Sequence, residues 1–292
     1  MDSNIIVTIG IPIYNAEKFL ESAIKSVLNQ KFTKFELILT DDGSTDRSLE
    51  IAKSFSDTRI TVLSDNLNKG IGYRLNEQIG FAKGKYFARM DADDVMFPER
   101  IEEQVNYLES RPDLDAIGGW AVVINEENEI LGLRKSNIPK EFSDVLNKSI
   151  FIHPTVMGKI EWFREYKYNP EISGPEDYDL WLRSFNGSHF AIINKPILFY
   201  RDPLKIRLTS YLSRQKQIRL SYINNQNLIK KSLILKLCFI SFCKSLIYWV
   251  FELVSLDYLL IRKRNLILAK SEKKFYKDQL NLIVNKTLNG IV

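Results

Sequence analysis

A chain of 292 residues that is 45% hydrophobic and 26% charged is too apolar to stay disordered, and its composition is far from collagen-like. Its two cysteines, Cys238 and Cys243, supply neither a disulfide framework nor a Cys-rich zinc site. The net charge of +5 conceals an asymmetry: residues 1–204 carry 24 Lys/Arg against 32 Asp/Glu, and residues 205–292 carry 17 against 4. The acidic main part (1–204) and the basic, apolar tail (205–292) therefore read as two regions with different tasks. Met1-Asp2-Ser3-Asn4 has no basic run before a strand begins, which argues against a cleaved signal peptide and for a cytoplasmic main domain.

The first hundred residues alternate strand and helix patterns. Ile5–Ile9 with Ile11-Pro12-Ile13 reads as a buried strand. A helix follows, with Asn15 as N-cap and Phe19, Leu20, Ala23, Ile24, Val27 and Leu28 on one apolar face. Phe35–Thr40 is a second strand ending at Asp41-Asp42-Gly43, a helix covers about 46–55, and Ile60–Leu63 is a third strand. A helix over 71–82 and a strand over 86–90 complete four βα repeats, which predicts right-handed crossovers and a parallel sheet with its ligand edge beyond the strands' carboxyl ends. Past Pro98 the pattern is mixed: a helix over 101–108, a hairpin or sheet extension from 115–124 and 129–133, a helix over 175–185, then strand at 191–193 and 196–200.

From about Thr209 the sequence is helical. Leu233-Ile234-Leu235, Leu237–Phe242 and Leu246–Phe251 are dense apolar runs broken by Lys236, Lys244, Glu252 and Asp257, and no stretch reaches the ~18 uncharged residues of a spanning helix. Lys230-Lys231 and Arg262-Lys263-Arg264 bracket them. Such a pair of basic apolar helices suits the surface of an anionic membrane; the plainer reading is a helical hairpin packed on the main domain. The interleaving of cations with Leu, Ile and Phe leaves no clean polar face for nucleic acid.

Three acidic clusters stand out. Asp41-Asp42-Gly43-Ser44-Thr45-Asp46 closes the second strand, Asp91-Ala92-Asp93-Asp94 closes the fourth, and Glu176-Asp177-Tyr178-Asp179 opens a helix. Carboxylates crowded into one turn repel each other and favour a hard divalent cation such as Mg²⁺ or Mn²⁺, although exposed acidic turns are common without one. The first cluster also reads as an Asx-turn, and the third as a helix N-terminus favoured by acidic residues.

The order of these pieces is more specific than any one of them. Ile11-Pro12-Ile13-Tyr14-Asn15, Asp41–Asp46, Asn68-Lys69-Gly70 with Asn76, Gly84-Lys85-Tyr86 through Asp91-Ala92-Asp93-Asp94, Pro98 and Arg100, Gly118-Gly119, His153–Met157, Gly174-Pro175-Glu176-Asp177-Tyr178-Asp179-Leu180-Trp181 and Phe199-Tyr200-Arg201 together resemble family 2 glycosyltransferases of the bacterial surface-polysaccharide type. The resemblance covers residues 5 to about 201 and leaves the tail outside. It implies an α/β chain with the GT-A fold, in which a Rossmann-like nucleotide-binding sheet is fused to an acceptor-binding half, here followed by a C-terminal helical appendage. It also implies inverting transfer of one sugar from a UDP-sugar donor to a saccharide or lipid-linked saccharide, assisted by Mn²⁺ or Mg²⁺; the basic apolar tail places that transfer at the cytoplasmic face of the cell membrane.

Carried onto this chain, the family's motifs place Pro12 and Tyr14 around the nucleoside, Asp41 on the base, Asp91 near the ribose or metal, Asp93 on the metal and Asp177 as catalytic base. Glu176, Trp181 and His153 fall on the acceptor side. The chemistry agrees, because the leaving diphosphate needs a counter-charge and the attacking hydroxyl needs a base, and these come from separate segments. Two features depart from the family: no histidine follows Tyr200-Arg201, where Asp202-Pro203-Leu204 stands, and the Gln-x-x-Arg-Trp signature of processive synthases is absent. A sugar nucleotidyltransferase, which shares the architecture, needs a Gly-rich basic loop where Tyr14-Asn15-Ala16-Glu17 stands. A catalytically inactive membrane-surface adaptor is the non-enzymatic alternative.

Overall fold

Val7-Thr8-Ile9-Gly10-Ile11-Pro12-Ile13 forms strand β1 (Val7–Ile13), and all but one of its residues are buried. A run apolar on both faces needs cover on both, so it takes a central place in a parallel sheet. In the computed structural model, which describes residues 5–202, 207–253 and 264–285, β1 lies between β2 (Phe35–Asp41) and β4 (Tyr86–Arg89), parallel to each, with β3 (Ile60–Ser64) outside β2. The crossovers are α1 (Leu20–Leu28), α2 (Ser48–Ser54) and α3 (Ile71–Phe81). Leu20, Ile24 and Val27 of α1 pack on Ile9, Ile11, Leu37 and Leu39 in one apolar core. The four βα repeats thus stand as expected, except that Asn15 does not cap α1. It sits in the left-handed region at φ 49°, and its Oδ1 accepts the Thr45 N–H at 2.8 Å.

The second half contains β5 (Val95–Met96), α4 (Arg100–Ser110), β6 (Ala116–Ile124), β7 (Ile130–Arg134), α5 (Phe142–Val145), β8 (Met157–Lys159), α6 (Ile160–Tyr166), α7 (Glu176–Ser184) and β9 (Phe190–Arg201). The sheet runs β3-β2-β1-β4-β8-β6-β9-β5, with β7 paired to β6. Short β8, antiparallel to both β4 and β6, joins the halves. The hairpin read from 115–133 is β6–β7, and the two strand fragments at 191–200 are one strand, β9, whose pairing with β6 shifts register around Trp120. Gly118 and Gly119 allow that crowding: a Cβ on Gly118 would lie 2.5 Å from the Phe151 ring, and one on Gly119 2.6 Å from Ile197.

The appendage comprises α8 (Leu208–Asn224), α9 (Lys231–Leu253) and α10 (Lys270–Val284). The expected boundary at 204/205, together with Asp257 and Arg262-Lys263, lies outside the described residues. α8 is anchored to α7 through Asp179, whose fully buried carboxylate accepts hydrogen bonds from Ser221 Oγ (2.8 Å), Asn225 Nδ2 (3.0 Å) and Arg183 Nε (2.8 Å). Asp179→Ala strands these donors, and removing one member of such a buried cluster costs ~3 kcal/mol. The melting temperature is expected to fall by roughly 6–12 °C, measured by differential scanning calorimetry.

Lys236 and Lys244 do not break the tail into short pieces: α9 is a single helix of 23 residues, long and apolar enough by length and composition to cross a membrane. Helix formation tolerates isolated lysines, because a lysine's long stem packs with apolar neighbours while its ammonium reaches outward. Only 22% of the helix's most apolar window is buried. Cys238 and Cys243 are half-buried on it.

Candidate active site

β1 and β2 end side by side, Ile13 opposite Asp41. The chain then turns at Gly43, where φ is +72° and a Cβ would lie 2.9 Å from the Asn68 backbone, so glycine permits the close approach of the 67–70 loop. Asp41 accepts the N–H groups of Gly43 (3.2 Å) and Ser44 (3.3 Å), forming the expected Asx-turn. Asp42 accepts from Lys69 N (2.7 Å), Gly70 N (3.0 Å) and Arg74 Nε (2.8 Å). A cavity of about 270 Å³ opens here, lined by Pro12, Ile13, Tyr14, Asp42, Asn68 and Gly70. Pro12 and Tyr14 stand where a nucleoside pocket was expected. Asp41 is 1% exposed and turned into the Asx-turn, while Asp42 takes the lining position.

β4 delivers the second cluster. Ligand oxygens of Asp91, Asp93 and Asp94 lie within 4.8 Å of one another. Arg201, at the end of β9, holds this turn: its backbone N–H reaches Asp94 Oδ1 at 2.8 Å, and its Nε reaches the Asp93 carbonyl at 2.9 Å. Arg89 pairs with Asp91 at 2.5 Å. Burial, reinforced by the Asp91 charge, pushes Asp93 up to about 6, and burial with Asp93 and Asp91 raises Asp94 well above the carboxylate range. Asp94 is fully buried, and its Oδ2 has no hydrogen-bond partner. Crowded, under-neutralised carboxylates with an orphan oxygen fit a hard divalent cation, which prefers one or two carboxylates and fills its shell with phosphate oxygens and water.

The third cluster faces the second across a cleft of about 320 Å³ whose walls include Arg89, Asp91, His153, Glu176, Asp177 and Arg214. α7 begins after Gly174-Pro175, so Glu176 and Asp177 project from its first turn, where the helix dipole favours negative charge. Asp177 accepts from Ser149 Oγ at 3.3 Å and lies 4.0 Å from the Arg214 guanidinium. Burial, then the Asp177 charge, pushes Glu176 up to about 8, and its Oε2 has no partner. Glu176 therefore holds a proton at neutral pH.

His153 shares a 2.9 Å hydrogen bond with Tyr168 Oη and lies 3.7 Å from Glu176. Burial and the Arg89 charge hold it well below the usual imidazole range, so it is neutral. Trp181, expected beside the acceptor, has no exposed surface. It packs on Phe151, Trp162 and Phe190 behind α7 and so supports the first turn from below.

The shift on Glu176 has a thermal consequence. Its folded-state pKa lies above the ordinary 4.5, so between pH 4.5 and 8 the unfolded chain binds fewer protons and stability falls as pH rises. Glu176→Gln does not titrate. Its melting temperature is expected to rise relative to the parent between pH 5 and pH 8, by about 4 °C or more, in melts across that range.

Sequence reading did not single out Arg89, Asp42 or Arg214. Arg89 carried a signal, a cation inside the apolar run Tyr86-Phe87-Ala88-Arg89-Met90. Arg214 carried none, since it reaches the cleft from α8, 37 residues beyond Asp177.

Carboxylate clusters at the ends of β2 and β4, with a third on α7, mark the carboxyl edge of the α/β sheet as its functional edge. Residues 8–171 match the family model described as glycosyl transferase family 2. The chain belongs to that family and is a glycosyltransferase. It is 32% identical over 222 residues to an uncharacterized glycosyltransferase of Methanocaldococcus jannaschii, covering 72% of this chain and 76% of the relative. It is 30% identical over 251 residues to the O-antigen biosynthesis glycosyltransferase WbnJ of Escherichia coli, covering 82% of this chain and 96% of WbnJ. Among solved structures, S. aureus TarS 1–349 in complex with UDP-GlcNAc superposes with a TM-score of 0.60 at 16% identity, covering 80% of this chain and 70% of that one. The mannosyltransferase PcManGT of Pyrobaculum calidifontis, in complex with GDP-Man and Mn²⁺, gives 0.56 at 16%, covering 95% and 84%. The fold is GT-A, with a helical C-terminal region.

Proposed function

We propose that the protein transfers a single sugar from a UDP-sugar, with inversion at the anomeric carbon, to a saccharide or lipid-linked saccharide during assembly of a cell-surface polysaccharide. The observation that carries the reading is the cleft itself: Asp91 on one wall, Glu176 and Asp177 on another, and the Pro12–Tyr14 cavity beside it, with Ile71 lining both. The nucleotide sugars in the TarS and PcManGT complexes and the O-antigen role in WbnJ's name support the donor class and the pathway.

In this reading Pro12 and Tyr14 flank the nucleoside, and Asp41 and Asp42 form the polar end that meets the base. Asp91 and Asp93, with Asp94 behind them, hold Mn²⁺ or Mg²⁺. When bound, the ion supplies positive charge that stabilises the departing diphosphate. Asp177 takes the proton from the acceptor hydroxyl as it attacks in line, opposite the leaving group. Protonated Glu176 and neutral His153 present hydrogen-bonding groups to the acceptor without adding charge, and Trp181 fixes the turn that carries them.

The tail attaches to the cytoplasmic face of an anionic membrane. Leu235, Phe239, Phe242 and Leu253 of α9 are each more than 60% exposed, and Lys230, Lys231, Lys236 and Lys244 lie among or beside them. Incubating purified protein with a panel of nucleotide sugars, with Mn²⁺ or with EDTA, and measuring released nucleoside diphosphate tests the assignment. Metal-dependent UDP release from one donor is the expected result. Triphosphate consumption with pyrophosphate release would point to a nucleotidyltransferase instead, and absence of both UDP binding and release would point to an inactive adaptor.

A further inference from the structure

A second cavity, of about 210 Å³, lies against the catalytic cleft, between the 146–149 segment, α8 and α9. Ser149 and Arg214 line both spaces, and both approach Asp177, so the two share walls beside that carboxylate. Its lining is unbalanced in charge. Lys148, Arg214 and Lys244 contribute three cations, and no Asp or Glu takes part. Among the described residues neither Lys148 nor Lys244 has an ion-pair partner; Arg214 lies 4.0 Å from Asp177 and donates to the Gly174 carbonyl at 3.3 Å. The remaining walls are hydroxyls, from Ser149, Ser241, Tyr178 and Tyr222, amides, from Asn147 and Gln215, and aliphatic side chains, from Leu146, Ile218, Leu237 and Ile240.

α9 explains how the aliphatic part continues outward. Leu237, Ser241 and Tyr248 form its buried face, and Ile240 and Lys244 sit at the border of that face. The opposite face presents Leu235, Phe239, Phe242, Leu246 and Trp249, each 45–68% exposed. A path therefore runs from the catalytic carboxylate, past three cations, along aliphatic side chains, to the exposed apolar face of a long helix. A ligand complementary to that path has a sugar at one end, an anion in the middle and hydrocarbon at the other end.

We infer that this cavity is an acceptor subsite for a lipid phosphate ester. The acceptor's sugar occupies the cleft at Asp177, its phosphate sits among Lys148, Arg214 and Lys244, and the first carbons of its lipid lie on Ile218, Leu237 and Ile240. The inference rests on the transferase reading and narrows its acceptor from saccharides in general to amphiphilic phosphates. It also gives the appendage a second task, since α8 and α9 complete the acceptor site as well as meeting the membrane. Charge complementarity selects the phosphate, and the aliphatic walls select against free sugar phosphates.

The test is calorimetric titration of the full chain with farnesyl phosphate, inorganic phosphate and farnesol, with UDP plus Mn²⁺ titrated into the same preparations. Farnesyl phosphate is expected to bind saturably and about tenfold more tightly than either fragment, because only it engages both the cations and the aliphatic walls. Lys148→Glu and Lys244→Glu each weaken it by about fivefold, the worth of one lysine facing a lipid anion. UDP binding in those variants reports an intact donor half. Farnesyl phosphate binding no tighter than inorganic phosphate, or unaffected by both charge reversals, overturns the subsite. UDP binding without farnesyl phosphate binding removes the subsite and leaves the transferase reading standing. Farnesyl phosphate binding without UDP binding keeps an amphiphile site, but overturns its role as an acceptor subsite together with the transferase reading.

Discussion

Asp177→Asn is expected to bind UDP with Mn²⁺ as the parent chain does and to transfer sugar at least ~10³-fold more slowly. The substitution preserves the shape of the first turn of α7, and Ser149 Oγ still finds an oxygen acceptor at the position it now occupies 3.3 Å away. What it removes is the basic oxygen. Glu176 does not replace it, because burial holds its pKa near 8 and it keeps its proton at neutral pH. His153 is neutral but already engaged with Tyr168 Oη at 2.9 Å. Equal binding with lost turnover is the signature of a group that acts only as the proton leaves. UDP binding lost together with turnover would instead make Asp177 a donor-site residue and remove the assignment. Single-turnover rates set beside calorimetric UDP affinity separate the two.

Much of the fold was legible because parallel sheets write themselves into sequence as apolar runs separated by helical periods. β1 through β4 and their three helices appear where Ile5–Met90 places them, within two residues at the ends except at the start of α1. β8 was not legible: three residues, Met157–Lys159, have no periodicity to show, yet they join the two halves of the sheet. The start of α1 was misread because Asn15 is a common capping residue, while here a left-handed turn carries its side chain to Thr45. The helical character of the tail was legible, and α9 runs unbroken through its lysines.

At the site, acidic clusters at strand ends pointed to where chemistry gathers, and the structure brings Asp91, Glu176 and Asp177 around one cleft. Which of two adjacent carboxylates lines a pocket was not legible, since Asp41 ends β2 and Asp42 follows it, and the turn at Gly43 engages Asp41 while Asp42 lines the cavity. Arg214 was invisible for a different reason. Its approach to Asp177 is created by the Asp179–Ser221–Asn225 anchor, a tertiary contact with no counterpart in local pattern.

Asp93→Asn separates the metal's contribution from the fold's. In EDTA the variant is expected to melt above the parent, because it removes one of three crowded carboxylates whose mutual repulsion and burial already push Asp93 up to about 6 and Asp94 higher. With Mn²⁺ the order reverses. Ligand bound at about one hundred times its Kd stabilises the parent by ~2.7 kcal/mol, and the variant, short of one anionic ligand, gains little of that. UDP release falls by about 10³-fold, the scale seen when a single charge-stabilising group is taken from a transition state. The melting readout requires no acceptor and no turnover, so it reports on the Asp91–Asp93–Asp94 turn alone. A Mn²⁺-induced shift that survives Asp93→Asn undiminished would mean that the ion binds elsewhere, and the crowding at the end of β4 would then need another purpose. Loss of the shift together with loss of UDP release would tie the orphan oxygen of Asp94, the half-buried carboxylate of Asp93 and the leaving diphosphate into one electrostatic arrangement, in which repulsion among the three carboxylates is what a bound cation would relieve.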